Sequence, residues 1–325
     1  MAIAHHDNDP FLIKSSPAEA GLDAAALERL EPLLAEWRMT SVLIARGGQL
    51  AYEWHEKGED SVAPLLSCTK SVLSSLIGIA IEEGRIAGVD QPISDYFGEA
   101  ADPQIKIKHL LTMTAGWDWP DFDKRYKAMK ASADPVGFVL DCDLVHEPGS
   151  AYAYNSGGSH LLSVILTKAV GCSALDYASS RLFQPMGFRQ AKWTSRRGIN
   201  EGGTGLQLYS RDLAKFGQLF LQKGNWFGRS LLSADWIEQS TKPHHRALLN
   251  YEPPIYGAYG FHWWHSPASH NGAFDCFFAF GHGGQILLVA PEAELVVVVR
   301  KRITGRNAAI YSRRLIMDYI VSSII

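Results

Sequence analysis

The sequence predicts an α/β fold in which a mostly antiparallel sheet, built from both ends of the chain and flanked by helices, carries a largely helical inserted domain. Three observations predict it. Apolar runs with strand-like alternation flank Gly47-Gly48 near the start, a two-residue hairpin signal. Helical spacing dominates from Cys68 to about Val170. Runs dense in Val, Ile and Leu return in Gln285–Ala290 and Glu294–Arg300, the composition of central strands. Strands at both ends of a helical middle favour one shared sheet over two consecutive domains. The expected division is 1–66 with 195–325 for the sheet domain and 67–194 for the helical one, with the active site at their interface.

Taken in order, Asp23 to Arg38 reads as one amphipathic helix, followed by strands over Ser41–Arg46 and Gln49–His55. A strongly apolar helix opens at Cys68 and runs to Glu83. Further helices are expected after Pro92, over Ile107–Thr114, Asp134–Leu140, Gly158–Val170 and, from an N-cap at Ser173, to about Met186. Gly116 to Asp123 is rich in turn formers and aromatics and is placed on a loop. Helices follow over Ser210–Lys223 and Ser233–Thr241, then strands over Gly260–Trp264 and Asp275–Phe280, and a closing helix from Arg306 to Ser323.

Bulk properties narrow the function classes. The chain has 325 residues, 46% hydrophobic, with a net charge of −3 and mean hydropathy of −0.07, ordinary values for a globular protein. Mixed signs give no reason to expect nucleic acid or an acidic membrane as partner. No apolar run is long enough for a membrane span, and the N-terminus lacks a basic stretch followed by an apolar one. Four scattered cysteines without a CxxC pair signal neither a disulfide framework nor a cysteine zinc site. A cytoplasmic location is expected. No His-Glu-x-x-His suggests a metal site, and no Gly-x-Ser-x-Gly suggests an α/β-hydrolase.

The chemistry starts at Ser67-Cys68-Thr69-Lys70, where serine and lysine three residues apart open the apolar helix. Both side chains project from one face of its first turn, the helix N-terminus favours negative charge, and an apolar surround drives a lysine toward its neutral form. That is the make-up of a serine nucleophile with a lysine base. The spacing alone is weak, because 27 Ser and 14 Lys in 325 residues give about one such pair by chance. Cys68 itself reads as a small buried residue rather than a nucleophile. Two further stretches add to the signal: Glu147 to Gly158, a turn-rich run holding Tyr152 and Tyr154, and Phe280-Gly281-His282-Gly283-Gly284-Gln285, a glycine-rich entrance to a strand.

Together these motifs resemble, in order, the three motifs of the serine β-lactamase-like superfamily, which groups class C β-lactamases, penicillin-binding D,D-peptidases, esterases and 6-aminohexanoate-dimer hydrolases. His109-Leu110-Leu111-Thr112-Met113-Thr114-Ala115-Gly116 and Ser210-Arg211-Asp212-Leu213-Ala214-Lys215-Phe216-Gly217-Gln218-Leu219 are similar to two more family segments. The resemblance implies that Ser67 forms an acyl-enzyme, Lys70 is its base and Tyr154 relays protons. It also implies an oxyanion hole from the backbone N–H groups of Ser67 and Gln285, and no metal or other cofactor. His282, Gly283, Gly284, Asn155 and Ser156 become substrate-binding candidates, with Trp117 on the aromatic loop beside them.

The departures from the family pattern bear on the substrate. His282-Gly283-Gly284 stands where the lactamase branch has Lys-Thr/Ser-Gly, and an imidazole holds a carboxylate weakly near neutral pH. Tyr154-Asn155-Ser156 stands where Tyr-x-Asn is usual. Both changes favour a serine hydrolase acting on a small-molecule ester or small linear amide. A D,D-peptidase, a weak β-lactamase and a non-catalytic ligand sensor of the same fold are the alternatives.

Overall fold

The computed structural model describes residues 13–119, 124–247, 257–305 and 308–325. An eight-stranded sheet is its spine. In chain order the strands are β1 (Met39–Arg46) and β2 (Gln49–His55), then the short β3 (Ala63–Pro64), β4 (Lys192–Trp193) and β5 (Leu206–Leu208), which form a small sheet of their own in the order β3-β5-β4. The C-terminal part supplies β6 (His245–Arg246), β7 (Ala258–Tyr259), β8 (Trp264–Ser266), β9 (Cys276–Gly281), β10 (Gln285–Ala290) and β11 (Leu295–Lys301). The large sheet runs β6-β7-β8-β9-β10-β11-β1-β2 with every neighbour antiparallel. The N-terminal hairpin thus completes a sheet begun by the C-terminal strands, as the two-ended pattern predicts.

Period-two alternation sorts the strand side chains into two cores. Leu43, Leu287, Val289, Val296 and Val298 face the larger one. It also takes in α3 (Thr69–Glu82), α4 (Ile107–Leu111), α7 (Ser156–Val170), α8 (Ser210–Leu221) and α9 (Ala234–Thr241), and α5 (Lys124–Ala131) and α6 (Pro135–Leu140) pack against it. Val42, Ile44, Ile286, Leu288, Val297 and Val299 face the other, under α1 (Ala24–Glu28), α2 (Leu30–Glu36) and the C-terminal helical segment. Every residue of α3 from Thr69 to Ala80 is buried, the fate of a helix apolar all round. Among the described residues, no single helix is long and apolar enough to cross a membrane.

Several expected elements differ. Asp23 to Arg38 is two helices, because Pro32 has no N–H to continue the ladder back to Glu28. The expected strand Gly260–Trp264 is instead a turn joining β7 to β8: the Gly260 N–H donates to Trp263 C=O at 2.8 Å, and His262 is left-handed at φ 62°. Helix α5 was not anticipated. The closing helix is α10 (Ala308–Arg314) continued by a π-turn over Leu315–Ile320 and a 3₁₀ turn, and its expected start at Arg306 lies outside the described residues. Pro120 to Asp123 of the aromatic loop also lie outside them.

Candidate active site

Leu65 ends a tie to the small sheet, its N–H donating to Leu206 C=O at 2.9 Å. The chain then makes a 3₁₀ turn over Leu66–Cys68 and enters α3 at Thr69. Leu66 holds a left-handed φ of 50°, a strain of about 1–3 kcal/mol for a non-glycine residue. The Thr69 hydroxyl accepts from Leu206 N–H at 3.2 Å, so the turn is bound on both sides of Ser67. Ser67 is half-buried, at the mouth of the fully packed helix.

Lys70 lies one turn deeper and is 1% exposed. Its Nζ donates to three oxygens: Ser67 Oγ at 3.1 Å, Ser156 Oγ at 2.9 Å and Gly203 C=O at 2.8 Å. All three are neutral. An ammonium has three N–H groups to place, so these acceptors match the protonated state of the lysine donor for donor. The same Nζ sits 4.9 Å from the centroid of the Tyr154 ring, which stacks on Trp264 at 6.1 Å and meets Tyr259 edge-on at 6.3 Å.

The second motif reaches Lys70 through the start of α7. Asn155 caps that helix, its carboxamide oxygen accepting from Gly158 N–H at 2.8 Å, which gives the side chain a helix-capping role where substrate contact was expected. Ser156, next along, turns onto Lys70, whose Nζ it accepts from at 2.9 Å. Tyr154 is positioned by the His109–Gly116 segment: Met113 accepts the Ala153 N–H on its carbonyl at 2.8 Å and the Asn155 N–H on its sulfur at 3.2 Å. Met113 is also left-handed, at φ 61°.

A third strained residue, His262, ties the helices together. Its carbonyl accepts from Ser71 Oγ of α3 at 2.6 Å, its N–H donates to Leu111 of α4 at 2.9 Å, and its Nε2 meets Ser159 Oγ of α7 at 3.1 Å. Burial, with the nearby charge of Lys70 added, pushes the imidazole well below its usual pKa, so the ring is neutral. The expected strand over Gly260–Trp264 would have placed this histidine on a sheet instead.

The third motif departs most from expectation. β9 comes closest to the nucleophile turn at Gly281, where a Cβ would lie 2.4 Å from the Leu65 carbonyl; only glycine fits. The turn beyond is closed by Gly284 N–H donating to Gly281 C=O at 3.1 Å, with Gly283 at φ 78°, the positive angle a type II turn needs at its third position. Gly283 and Gly284 pack away from Ser67: a Cβ on the first would meet Ile303 and on the second Ser312 of α10, whose hydroxyl donates to Gly284 C=O at 2.8 Å. The Gln285 carboxamide is spent on the Lys301 backbone, donating at 2.8 Å and accepting at 3.3 Å. His282 is exposed at the tip.

Trp117 is 5% exposed, bridged to Leu144 and part of the larger core, so it packs the body and does not line an open wall. Trp119 is the tryptophan nearer the site, since a Cβ on Gly157 would lie 2.7 Å from its ring. Cys68 is fully buried, its thiol pushed up to about 12 by burial and donating to Gln285 C=O at 3.4 Å. Among the described residues there is no cluster of three or more potential metal ligands. The Gly203 carbonyl was missed in the sequence, although Glu201-Gly202-Gly203-Thr204-Gly205 carried a signal for it. Side chains are absent there so that the backbone can approach Ser156, whose Cβ a Gly203 Cβ would meet at 2.9 Å.

An antiparallel sheet closed by both chain ends, with a serine and a buried lysine at the start of a central helix and a tyrosine over the lysine, defines the serine β-lactamase-like class. The sequence model of the Beta-lactamase family matches residues 30–315, and the chain belongs to that family, within a superfamily of serine hydrolases. It is 26% identical to the 6-aminohexanoate-dimer hydrolase of Paenarthrobacter ureafaciens, over 87% of this chain and 79% of that one. Among solved structures it resembles EstCE1, a hydrolase with promiscuous acyltransferase activity, with a TM-score of 0.74 at 17% identity over 93% and 100% of the two chains. It also resembles the octameric penicillin-binding protein homologue from Pyrococcus abyssi, with a TM-score of 0.72 at 18% identity over 90% and 77%.

Proposed function

We propose that this protein is a serine hydrolase that cleaves short acyl esters or small linear amides through an acyl-enzyme on Ser67. The observation that carries the reading is the 3.1 Å contact between Ser67 Oγ and the buried Lys70 Nζ. The neutral amine takes the Ser67 proton as Oγ bonds to the substrate carbonyl carbon, and the carbonyl electron pair moves onto its oxygen. The new ammonium then finds its N–H groups matched by Ser67, Ser156 and Gly203. Collapse of the tetrahedral adduct expels the alcohol or amine, which takes the proton held on Lys70, passed through the Tyr154 hydroxyl, and leaves the amine neutral again. Water then attacks the acyl carbon and gives a proton to Lys70 by the same route, and that proton returns to Ser67 Oγ as the acyl bond breaks and the carboxylic acid leaves.

For the oxyanion we assign the backbone N–H of Ser67 and that of His282, in place of Gln285. A strand residue's own N–H and C=O point to the same side, and successive residues alternate. Gly281 C=O points into the hairpin, where it accepts from Gly284 of the turn, and the N–H of His282, across the same trans peptide, points to the opposite edge, which β8 leaves uncovered beyond Trp264. Gln285 pairs with Gly281 inside the hairpin. Each such donor is typically worth ~3 kcal/mol in the transition state.

Substrate class follows from what lines the site. The end of β9 reads Ala279-Phe280-Gly281, without a cation to hold a substrate carboxylate, and the wall beyond Tyr154 is Tyr259 and Trp264. The relative named 6-aminohexanoate-dimer hydrolase supports a linear amide, and the structural neighbour EstCE1 a broader acyl transfer. A panel of p-nitrophenyl butyrate, 6-aminohexanoate dimer, D-amino-acid amides and nitrocefin, with Ser67→Ala as control, tests this. Ester or linear-amide turnover is expected to exceed nitrocefin turnover and to fall by about 10³-fold or more in Ser67→Ala. Wild-type rates in Ser67→Ala would falsify the reading.

A further inference from the structure

Of the three oxygens on Lys70 Nζ, the Gly203 carbonyl makes the shortest contact, at 2.8 Å, and it belongs to the backbone least inclined to stay in place. Gly202 and Gly203 are adjacent, and glycine loses more conformational freedom on ordering than any other residue. The ends of their loop are tied to Thr194, which accepts from Glu201 N–H at 2.9 Å and donates its own N–H to Gly205 C=O at 3.1 Å. Gly203 itself is enclosed between two helices. A Cβ there would meet both Ser156 Cβ of α7 and the Tyr126 hydroxyl of α5 at 2.9 Å.

A chain of side chains spans the two glycines. Thr204 Oγ1 donates to Glu201 Oε2 at 2.8 Å and lies 3.0 Å from Tyr126 Oη. A threonine hydroxyl carries one proton. With that proton on Glu201, the Tyr126 hydroxyl is the donor in the second contact, so the bonds run from Tyr126 to Thr204 to Glu201. Lys130, one helical turn beyond Tyr126 on α5, braces both ends: its Nζ lies 3.8 Å from Glu201 Oε2 and 5.0 Å from the centroid of the Tyr126 ring. His160 of α7 also faces Glu201.

We propose that Tyr126, Thr204 and Glu201 are positioning residues that hold the Gly203 carbonyl on Lys70 Nζ, an inference that rests on Lys70 as the base of the proposed reaction. A carbonyl aimed at the amine favours its ammonium form, which is the form the base takes as Ser67 attacks. Cutting the chain frees the two glycines, and one N–H of the ammonium loses its fixed acceptor. Lys70 then gives up its proton at lower pH. The other titratable groups facing Lys70 are Cys68 on its own turn, Tyr154 ahead of α7 and His262 between β7 and β8. A cut at Thr204 leaves all three in place.

The test labels the full-length protein with ε-¹³C-lysine, identifies the Lys70 signal by its absence from Lys70→Ala, and follows it with pH. Thr204→Val keeps the shape and removes the hydroxyl, whereas Thr204→Ser keeps the hydroxyl. The Lys70 midpoint in Thr204→Val is expected to fall by about one pH unit, and in Tyr126→Phe to fall by less, because the Thr204–Glu201 bond survives. Thr204→Ser is expected to stay with the wild type. The low-pH limb of kcat/KM for the best ester should move with the midpoint. A Thr204→Val curve that coincides with the wild type overturns the proposal, whatever happens to the Tm, and so does an equal fall in Thr204→Ser. Should Thr204→Val not fold, Tyr126→Phe decides by the same comparison. The ¹³C titration needs no turnover, so absence of hydrolysis would count against the reaction and leave the positioning role to be judged by the titration.

Discussion

Lys70 and Arg300 are both essentially buried, 1% and 2% exposed, and both act electrostatically on the Cys68 thiol. Lys70 donates to three neutral oxygens supplied by three separate segments, at Ser67, Ser156 and Gly203. Arg300 donates to one. Burial alone therefore does not define a buried cation's role; the count of donors against acceptors does. A lysine whose acceptors match its ammonium is prepared to receive a proton and hold it until a leaving group takes it. An arginine left with two buried nitrogens unpaired carries its charge at a cost in stability.

The most forceful way to break the comparison is at Lys70. Lys70→Ala removes the base and leaves Ser67 and Ser156 facing one another, so kcat/KM for the best ester is expected to fall by about 10³-fold. Its Tm is expected to fall only modestly, because removal of a buried amine offsets part of the cost of the cavity and of the Gly203 carbonyl it leaves without a donor. Steady-state kinetics beside thermal unfolding read both quantities. A large loss of stability with little loss of rate would make Lys70 a structural residue instead.

Asp212 sharpens the other side. It is fully buried, its Oδ2 accepts from Arg189 N–H at 3.1 Å, Oδ1 has no hydrogen-bond partner, and Lys215 stands 3.8 Å away. Burial outweighs Lys215 and pushes the carboxyl up to about 6 from 3.8. Because the folded value is the higher one, the unfolded chain ionises first. Stability from this group is whole below about pH 4 and is lost as pH rises through about 6. Asp212→Asn is accordingly expected to stabilise the protein by about 3 kcal/mol at pH 8 and by far less at pH 4. Urea unfolding at the two pH values checks it, and equal effects at both would sink the argument.

Much of the fold was legible because alternation and helical period report burial directly. Gln285–Ala290 and Glu294–Arg300 emerged as central strands within a residue of β10 and β11. Where the backbone turns through a left-handed residue that is not glycine, as at His262, side-chain pattern carries no warning. In the site, Ser67 and Lys70 were visible because one helical turn relates them, and Tyr154 because the resemblance supplied it. The Gly203 carbonyl was not, since a backbone acceptor leaves no residue type to notice. The glycines of the third motif were visible and misassigned: Gly281 makes the close approach to the nucleophile turn, while Gly283 and Gly284 serve the turn and α10.

The smallest expected effect probes how Lys70 is held in register. His262 joins α3, α4 and α7 through its carbonyl, its N–H and its ring, and two of those three links are backbone and survive any substitution. His262→Ala loses the Ser159 partner and also places a Cβ-bearing residue with no polar side chain at φ 62°, a conformation that Asn tolerates better. His262→Asn should therefore unfold about 1 kcal/mol less readily than His262→Ala, measured by urea denaturation at one pH. Because the native ring is neutral, the wild-type advantage over both variants should not grow as pH is raised above 7. If Ala and Asn are equally stable, the left-handed conformation costs nothing measurable and the loss in both variants comes from the imidazole contact with Ser159.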